Sequence, residues 1–295
     1  MKPMTSGPAS TPPIEIGEFH YRLRWRTRGA RPGCHPSRQP GGGVEFRGHA
    51  SILHHPDPRR LDVRATLRDP HHELLVRIFQ QRSAIPVYVV ADLTTSMRFR
   101  GGLDKWLNLI GFCASVAHSC RRTGDLFGFI GWDTRVRRDL LLPAGYAGTA
   151  SETLIRRLLE YRGGGAGIQG LCEAGEFLPR ARSLVFLVSD FHVSLHELDR
   201  TLSPLARHDM VPVVLWDRSE LENLPPRGLV RVRDLENGRE RLLWMRPVLR
   251  DACREALEHR REALRRTFLR YGRPPFFVYD RFDPDDLTRY FLETS

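Results

Sequence analysis

The apolar positions change rhythm along the chain. From Phe19 they alternate, with Phe19, Tyr21, Leu23 and Trp25 set against His20, Arg22, Arg24 and Arg26. A period of two predicts a strand with one apolar and one cationic face. A solvated edge strand is the simplest form, because arginine on an edge discourages strand-to-strand aggregation. Residues 32–43 are rich in Pro and Gly and read as a loop. Residues 44–83 have too few periodic apolar positions to predict an element and read as an irregular extension outside the core.

From Ile85 short apolar runs alternate with amphipathic stretches. Runs at 86–91, 125–132, 135–142, 183–189 and 211–216 predict strands, and stretches at 103–122, 153–162, 168–178 and 195–207 predict helices. This alternation predicts an α/β domain with a doubly wound, mainly parallel sheet. Residues 229–233 and 239–245 then predict a hairpin around Glu236-Asn237-Gly238, followed by a long charged helix over 248–271. A last helix over 284–292 has Asp283 to cap it and Pro284 in its first turn, where a missing N–H costs nothing. The chain so divides into a disordered tail (1–13), a basic N-terminal extension (14–84) and the α/β domain (85–295).

Composition narrows the function classes. With 295 residues, 41% of them hydrophobic, the chain can bury one sizeable core. No apolar run approaches the roughly 18 residues of a membrane span, and the N-terminus lacks the apolar centre of a signal peptide. The cytoplasm is the default location. Five cysteines (Cys34, Cys113, Cys120, Cys172 and Cys253) form no CxxC pair and read as reduced, mostly buried thiols. Cys113 and Cys120, seven apart, share one helix face. The pairs His54-His55 and His71-His72 point in divergent directions and match no zinc spacing. A formal charge of +11 raises the class of nucleic-acid binding. However, 44 of the 46 basic residues are arginine, Lys2 and Lys105 being the two lysines, which reads as a composition bias acting on the whole surface. Residues 1–85 hold 14 Lys/Arg against 7 Asp/Glu, so an acidic partner would favour that third. Nucleic-acid modules interleave exposed aromatics with cations, whereas here the two alternate onto opposed faces.

Doubly wound sheets bind ligands where their strands end, so the residues just past each strand carry the chemistry. The first strand runs into Asp92, Thr94 and Ser96 at i, i+2 and i+4, and the strand at 183–189 into Asp190. These offer oxygen ligands, which suits Mg²⁺ or a similarly hard ion. The same turn also reads as helix capping. On spacing alone both readings stand.

The motif resembles the metal-ion-dependent adhesion site of von Willebrand factor A domains, D-x-S/T-x-S with a distant Thr and Asp. The wider chain resembles the domain-of-unknown-function 58 family, through Gly41-Gly42-Gly43-Val44-Glu45-Phe46, Asp57-Pro58-Arg59-Arg60-Leu61-Asp62-Val63-Arg64-Ala65 and Asp234-Leu235-Glu236-Asn237-Gly238. Departures exist too. The family's Thr-Asp-Leu is absent from Gly163-Gly164-Gly165-Ala166-Gly167-Ile168-Gln169, which leaves Ala166 or Gly167 in place of the third hydroxyl, while His55-Pro56 and Val63 replace commoner residues.

The resemblance implies a von Willebrand factor A-like fold and a non-catalytic role beside a MoxR-type AAA+ ATPase, in maturing a client enzyme complex. Methanol dehydrogenase, served by similar MxaS-type accessory proteins, is one such client. Thr94 and Ser96 would hold Mg²⁺ directly, weakly or not at all for want of the third hydroxyl. Asp92 and Asp190 would orient its waters, and a partner's carboxylate would complete the shell. Arg98 and Arg100 would form a partner-binding rim. An enzyme is the competing class, with Asp92 and Asp190 holding Mg²⁺ for phosphoester hydrolysis. No GxSxG, HExxH or GxxxxGK[ST] occurs, and spacing supplies no acid or base.

Overall fold

The computed structural model describes residues 16–27, 31–98, 103–217, 225, 227–233 and 240–294. The expected tail at 1–13, Arg100 and the turn at 234–238 lie outside these residues. In order, the elements are β1 (Pro32–Ser51), α1 (Val63–Arg68), β2 (Leu75–Ser83), β3 (Pro86–Asp92), α2 (Lys105–Thr123), β4 (Leu126–Trp132), β5 (Leu142–Tyr146), α3 (Thr149–Glu160), α4 (Gln169–Phe177), β6 (Leu184–Ser189), α5 (Leu195–Leu202) and β7 (Asp209–Leu215). There follow β8 (Gly228–Arg233), β9 (Glu240–Met245), α6 (Pro247–Leu269), β10 (Phe276–Val278) and α7 (Pro284–Glu293).

Six strands form the central sheet in the order β10-β7-β6-β3-β4-β5, parallel except for β5 against β4. It is the doubly wound, mainly parallel α/β architecture expected. Strands β4, β6 and β7 are buried along their whole length, as continuous apolar runs covered on both faces should be. Because successive side chains point to opposite faces, each strand feeds two cores. Val87, Val89 and Ala91 of β3 pack with α2, α3 and α7, while Tyr88 and Val90 pack with α4, α5 and α6. Helix α2 begins at Asp104, whose side chain accepts from the Leu107 N–H, and ends at Gly124 in the left-handed region. Cys113 and Cys120 both sit in the first core. Cys34 and Cys172 are exposed, against expectation.

Four regions depart from the sequence reading. Residues 44–83, expected to be an irregular extension, carry the end of β1, α1 and β2. Residues 19–26 form no strand and bend at 24–25. Their alternation survives, with Phe19 and Tyr21 buried in the first core. Helix hydroxyls supply their hydrogen bonds in place of a neighbouring strand: the Gly17 N–H donates to Ser115 Oγ (3.2 Å), that of Phe19 to Ser119 Oγ (3.0 Å) and that of His20 to Thr288 Oγ1 (3.1 Å). Residues 32–43, expected as a loop, belong to β1, which pairs antiparallel with β2 through several register shifts. Both strands of a two-stranded ribbon are edges, and edges tolerate the prolines that misled the reading. The strand expected at 135–142 lies instead at Leu142–Tyr146. Before it the chain folds into turns, with the Arg137 N–H on Gly131 O (2.8 Å) and that of Leu140 on Arg137 O (3.0 Å).

Candidate functional site at the carboxyl end of the sheet

Strands β3 and β6 are neighbours, and their connections leave towards opposite edges of the sheet, β3 to β4 and β6 to β7. Such a switch point opens a crevice at the carboxyl ends of the strands. Asp92 is the last residue of β3 and Asp190 follows β6 directly. Asp92 organises the turn: its Oδ1 accepts from the Thr94 N–H (2.8 Å) and Thr94 Oγ1 (2.6 Å), and its Oδ2 from Ser189 Oγ (2.6 Å). Thr94 Oγ1 lies 3.1 Å from Ser96 Oγ. The fold thus brings Asp92, Thr94, Ser96 and Asp190 to one end of the sheet.

All four are enclosed, with relative exposures of 4%, 2%, 8% and 2%. The surface above them is formed by other residues, among them the exposed Thr134, Arg135, Arg162, Gly164 and His192.

Lys105, the first residue of α2, is 1% exposed, and its Nζ lies 3.1 Å from Asp190 Oδ2. The other Asp190 oxygen accepts from the His192 N–H (3.3 Å). Between these residues Phe191 takes a left-handed conformation (φ 51°), uncommon for a residue with a side chain, and its carbonyl is held by Arg260 (2.7 Å). Burial, then the neighbouring Asp190, pushes the Asp92 carboxyl well above the usual carboxylate range. Burial alone would raise Asp190, but the Lys105 ammonium and His192 together outweigh it and hold that carboxyl below its ordinary value.

The glycine loop at 163–167 packs on the motif through Thr95, whose N–H and Oγ1 both donate to Gly165 O (3.0 and 3.2 Å). A β-carbon on Gly164 would come within 3.0 Å of Thr95 Oγ1, and one on Gly165 within 2.6 Å of Thr134 Oγ1, so this close approach requires glycine. Gly167, one of the two positions expected to replace the missing hydroxyl, has φ +96°, and a β-carbon there would come within 2.5 Å of Gln169 Oε1. Arg98 is no free rim cation. Its guanidinium donates to Gly163 O (2.8 Å) and Tyr161 O (2.7 Å) and stacks over Trp106 (4.5 Å), stapling the loop to α2.

Two more buried aspartates, unforeseen, follow the flanking strands. Asp133 comes after β4 and accepts from the Tyr161 hydroxyl (3.2 Å); Asp217 comes after β7 and accepts from the Leu103 N–H (3.0 Å). Each central parallel strand therefore ends in, or is soon followed by, a buried aspartate. Position relative to the strand ends was the available signal. For Lys105 it was the rarity of lysine.

Residues 56–263 match a family described as a protein of unknown function, DUF58. The chain belongs to the DUF58 family. An uncharacterized protein in the moxR 3′ region of Paracoccus denitrificans is 38% identical over 103 residues, 34% of this chain and 96% of that relative. An uncharacterized protein of Mycobacterium tuberculosis is 26% identical over 263 residues, 85% of this chain and 80% of the relative. Among solved structures, BatB of Bacteroides thetaiotaomicron covers 72% of this DUF58 chain and 98% of its own at 8% identity, with a TM-score of 0.45. No helix among the described residues is long and apolar enough to cross a membrane.

Proposed function

We propose that this DUF58 protein is a non-catalytic partner of a MoxR-type AAA+ ATPase, acting in the maturation of an enzyme complex such as methanol dehydrogenase, and that the carboxyl end of its sheet is the recognition surface. The observation that carries the reading is the Paracoccus denitrificans relative from the moxR 3′ region, matched over nearly its whole length. The site's chemistry supports it. Thr94 and Ser189 hydroxyls donate to Asp92, and the Lys105 amine is held on Asp190. Groups locked in this way shape a loop surface well, whereas nucleophilic or acid–base chemistry needs them turned towards a substrate.

The test is co-expression of the tagged protein with the MoxR-type ATPase of the same genome, followed by capture on the tag. Arg135 and His192 are exposed at this end of the sheet, so the double variant Arg135→Glu/His192→Glu should fold normally by circular dichroism and lower capture at least roughly tenfold. Wild-type protein that captures no ATPase would refute the partner. Equal capture by the double variant would move the interface elsewhere.

A further inference from the structure

The adhesion-site motif suggests a divalent cation, and part of the geometry agrees. The Thr94 and Ser96 oxygens, 3.1 Å apart, have about the spacing of adjacent ligands in an Mg²⁺ octahedron. The charge does not agree. A divalent ion is held by uncompensated anionic oxygens, and the anion that should face it, Asp190, already carries the Lys105 ammonium at 3.1 Å. Nor does the glycine loop provide a third hydroxyl: it offers Thr95 the Gly165 carbonyl instead. The residues present therefore do not fit a divalent cation.

Lys105 is not there by default. It occupies the first position of α2, the positive end of the helix dipole, where a cation is disfavoured. Burial disfavours the ammonium further. The enclosed carboxylate of Asp190, with Asp92 beside it across the switch point, is what can hold it there. The choice of residue points the same way. In a chain whose basic residues are arginine 44 times in 46, this site has lysine, a compact tetrahedral charge with three donors, in place of a broad planar fork. A small cation is what a metal cavity would accommodate.

We propose that the Lys105 ammonium is a built-in replacement for the divalent cation: it supplies the positive charge that the buried carboxylates require, so the site keeps its shape without metal. The inference concerns the protein alone and stands or falls separately from the identity of its partner.

The test is thermal unfolding and titration calorimetry of the full chain, chelator-treated and then given Mg²⁺ or Mn²⁺. Wild-type protein should show no saturable binding and the same Tm in chelator and in millimolar metal. Lys105→Met should lower Tm by about 10 °C in chelator, since it strands a buried carboxylate. Mn²⁺ or Mg²⁺ should then restore part of the loss. The double variant Lys105→Met/Asp190→Asn, which removes both charges, should regain most of the Tm and ignore metal. Saturable binding to the wild type overturns the proposal, as does a Lys105→Met protein that does not respond to metal. Should Lys105→Met fail to fold in any condition, a folded double variant supports the charge argument and an unfolded one overturns it.

Discussion

The two ends of the central sheet both bury carboxylates, but they satisfy them in different ways. At the amino end Asp125 accepts from the Ile85 N–H (2.8 Å), Thr123 Oγ1 (2.8 Å) and the Tyr21 hydroxyl, and His35 Nε2 lies 2.7 Å away. At the same end Asp209, the first residue of β7, is gripped by Nε and Nη2 of the fully buried Arg273 (2.8 and 2.9 Å), which also donates to Arg22 O (3.0 Å). These partners come from the N-terminal segment, β1 and the chain beyond α6, so the amino end ties remote parts of the sequence together. At the carboxyl end Asp92 is satisfied by Thr94 and Ser189, within the ends of two adjacent strands. One end closes the fold and the other shapes loops. The same residue type does both jobs because the amino-end partners Tyr21, His35 and Arg273 belong to segments outside the central sheet, while the carboxyl-end partners Thr94, Ser189 and Lys105 belong to the strand ends and to α2.

The sharpest way to break this comparison is to cut the amino-end clamp. Arg273→Met strands the buried Asp209 and should cost about 3–5 kcal/mol in urea unfolding. A loss below about 1 kcal/mol would mean that the amino end does not hold the chain as described.

A smaller effect should follow pH. Burial first, then the Arg207 and Arg182 cations, push the buried His208 imidazole down to about 4. Its Nδ1 accepts from the Ser183 N–H (3.2 Å), at the entrance to β6, so this ring belongs to the amino end as well. An unfolded histidine titrates near 6.5, so the unfolded chain binds the extra proton first as pH falls. The stabilisation is complete above about pH 6.5 and is lost between there and about 4. Unfolding free energy at pH 4.5 should lie roughly 2–3 kcal/mol below that at pH 7, from this group. His208→Gln should flatten that slope, and an unchanged slope would assign it to other groups.

The smallest effect belongs to Asp92 at the carboxyl end. Asp92→Asn keeps the shape and an acceptor for the Thr94 N–H, in a place where burial already disfavours the charged form. Chemical denaturation should register less than about 1 kcal/mol. A loss as large as that of Arg273→Met would mean that Asp92, like Asp209 and Asp190, is held as a paired charge.

Much of this molecule follows from local pattern. Strands such as Leu184–Ser189 and helices such as Lys105–Thr123 are readable because a buried parallel strand must be apolar on both faces and a covering helix on one. The positions just past two of those strands, Asp92 and Asp190, were readable for the same reason, since the rhythm locates the strand ends. What lies across the chain was not. Phe19 and Tyr21 looked like an edge strand because their period of two is a local property, whereas the hydroxyls of Ser115, Ser119 and Thr288 that take the place of a neighbouring strand lie some hundred or more positions away. The prolines of β1 announced a loop, and only pairing with β2 made a ribbon of them. Lys105 stands 85 residues from Asp190. Which charge faces a buried carboxylate depends on how α2 docks on the sheet, and docking is settled by packing the two cores, so tertiary structure alone put the Lys105 ammonium on Asp190.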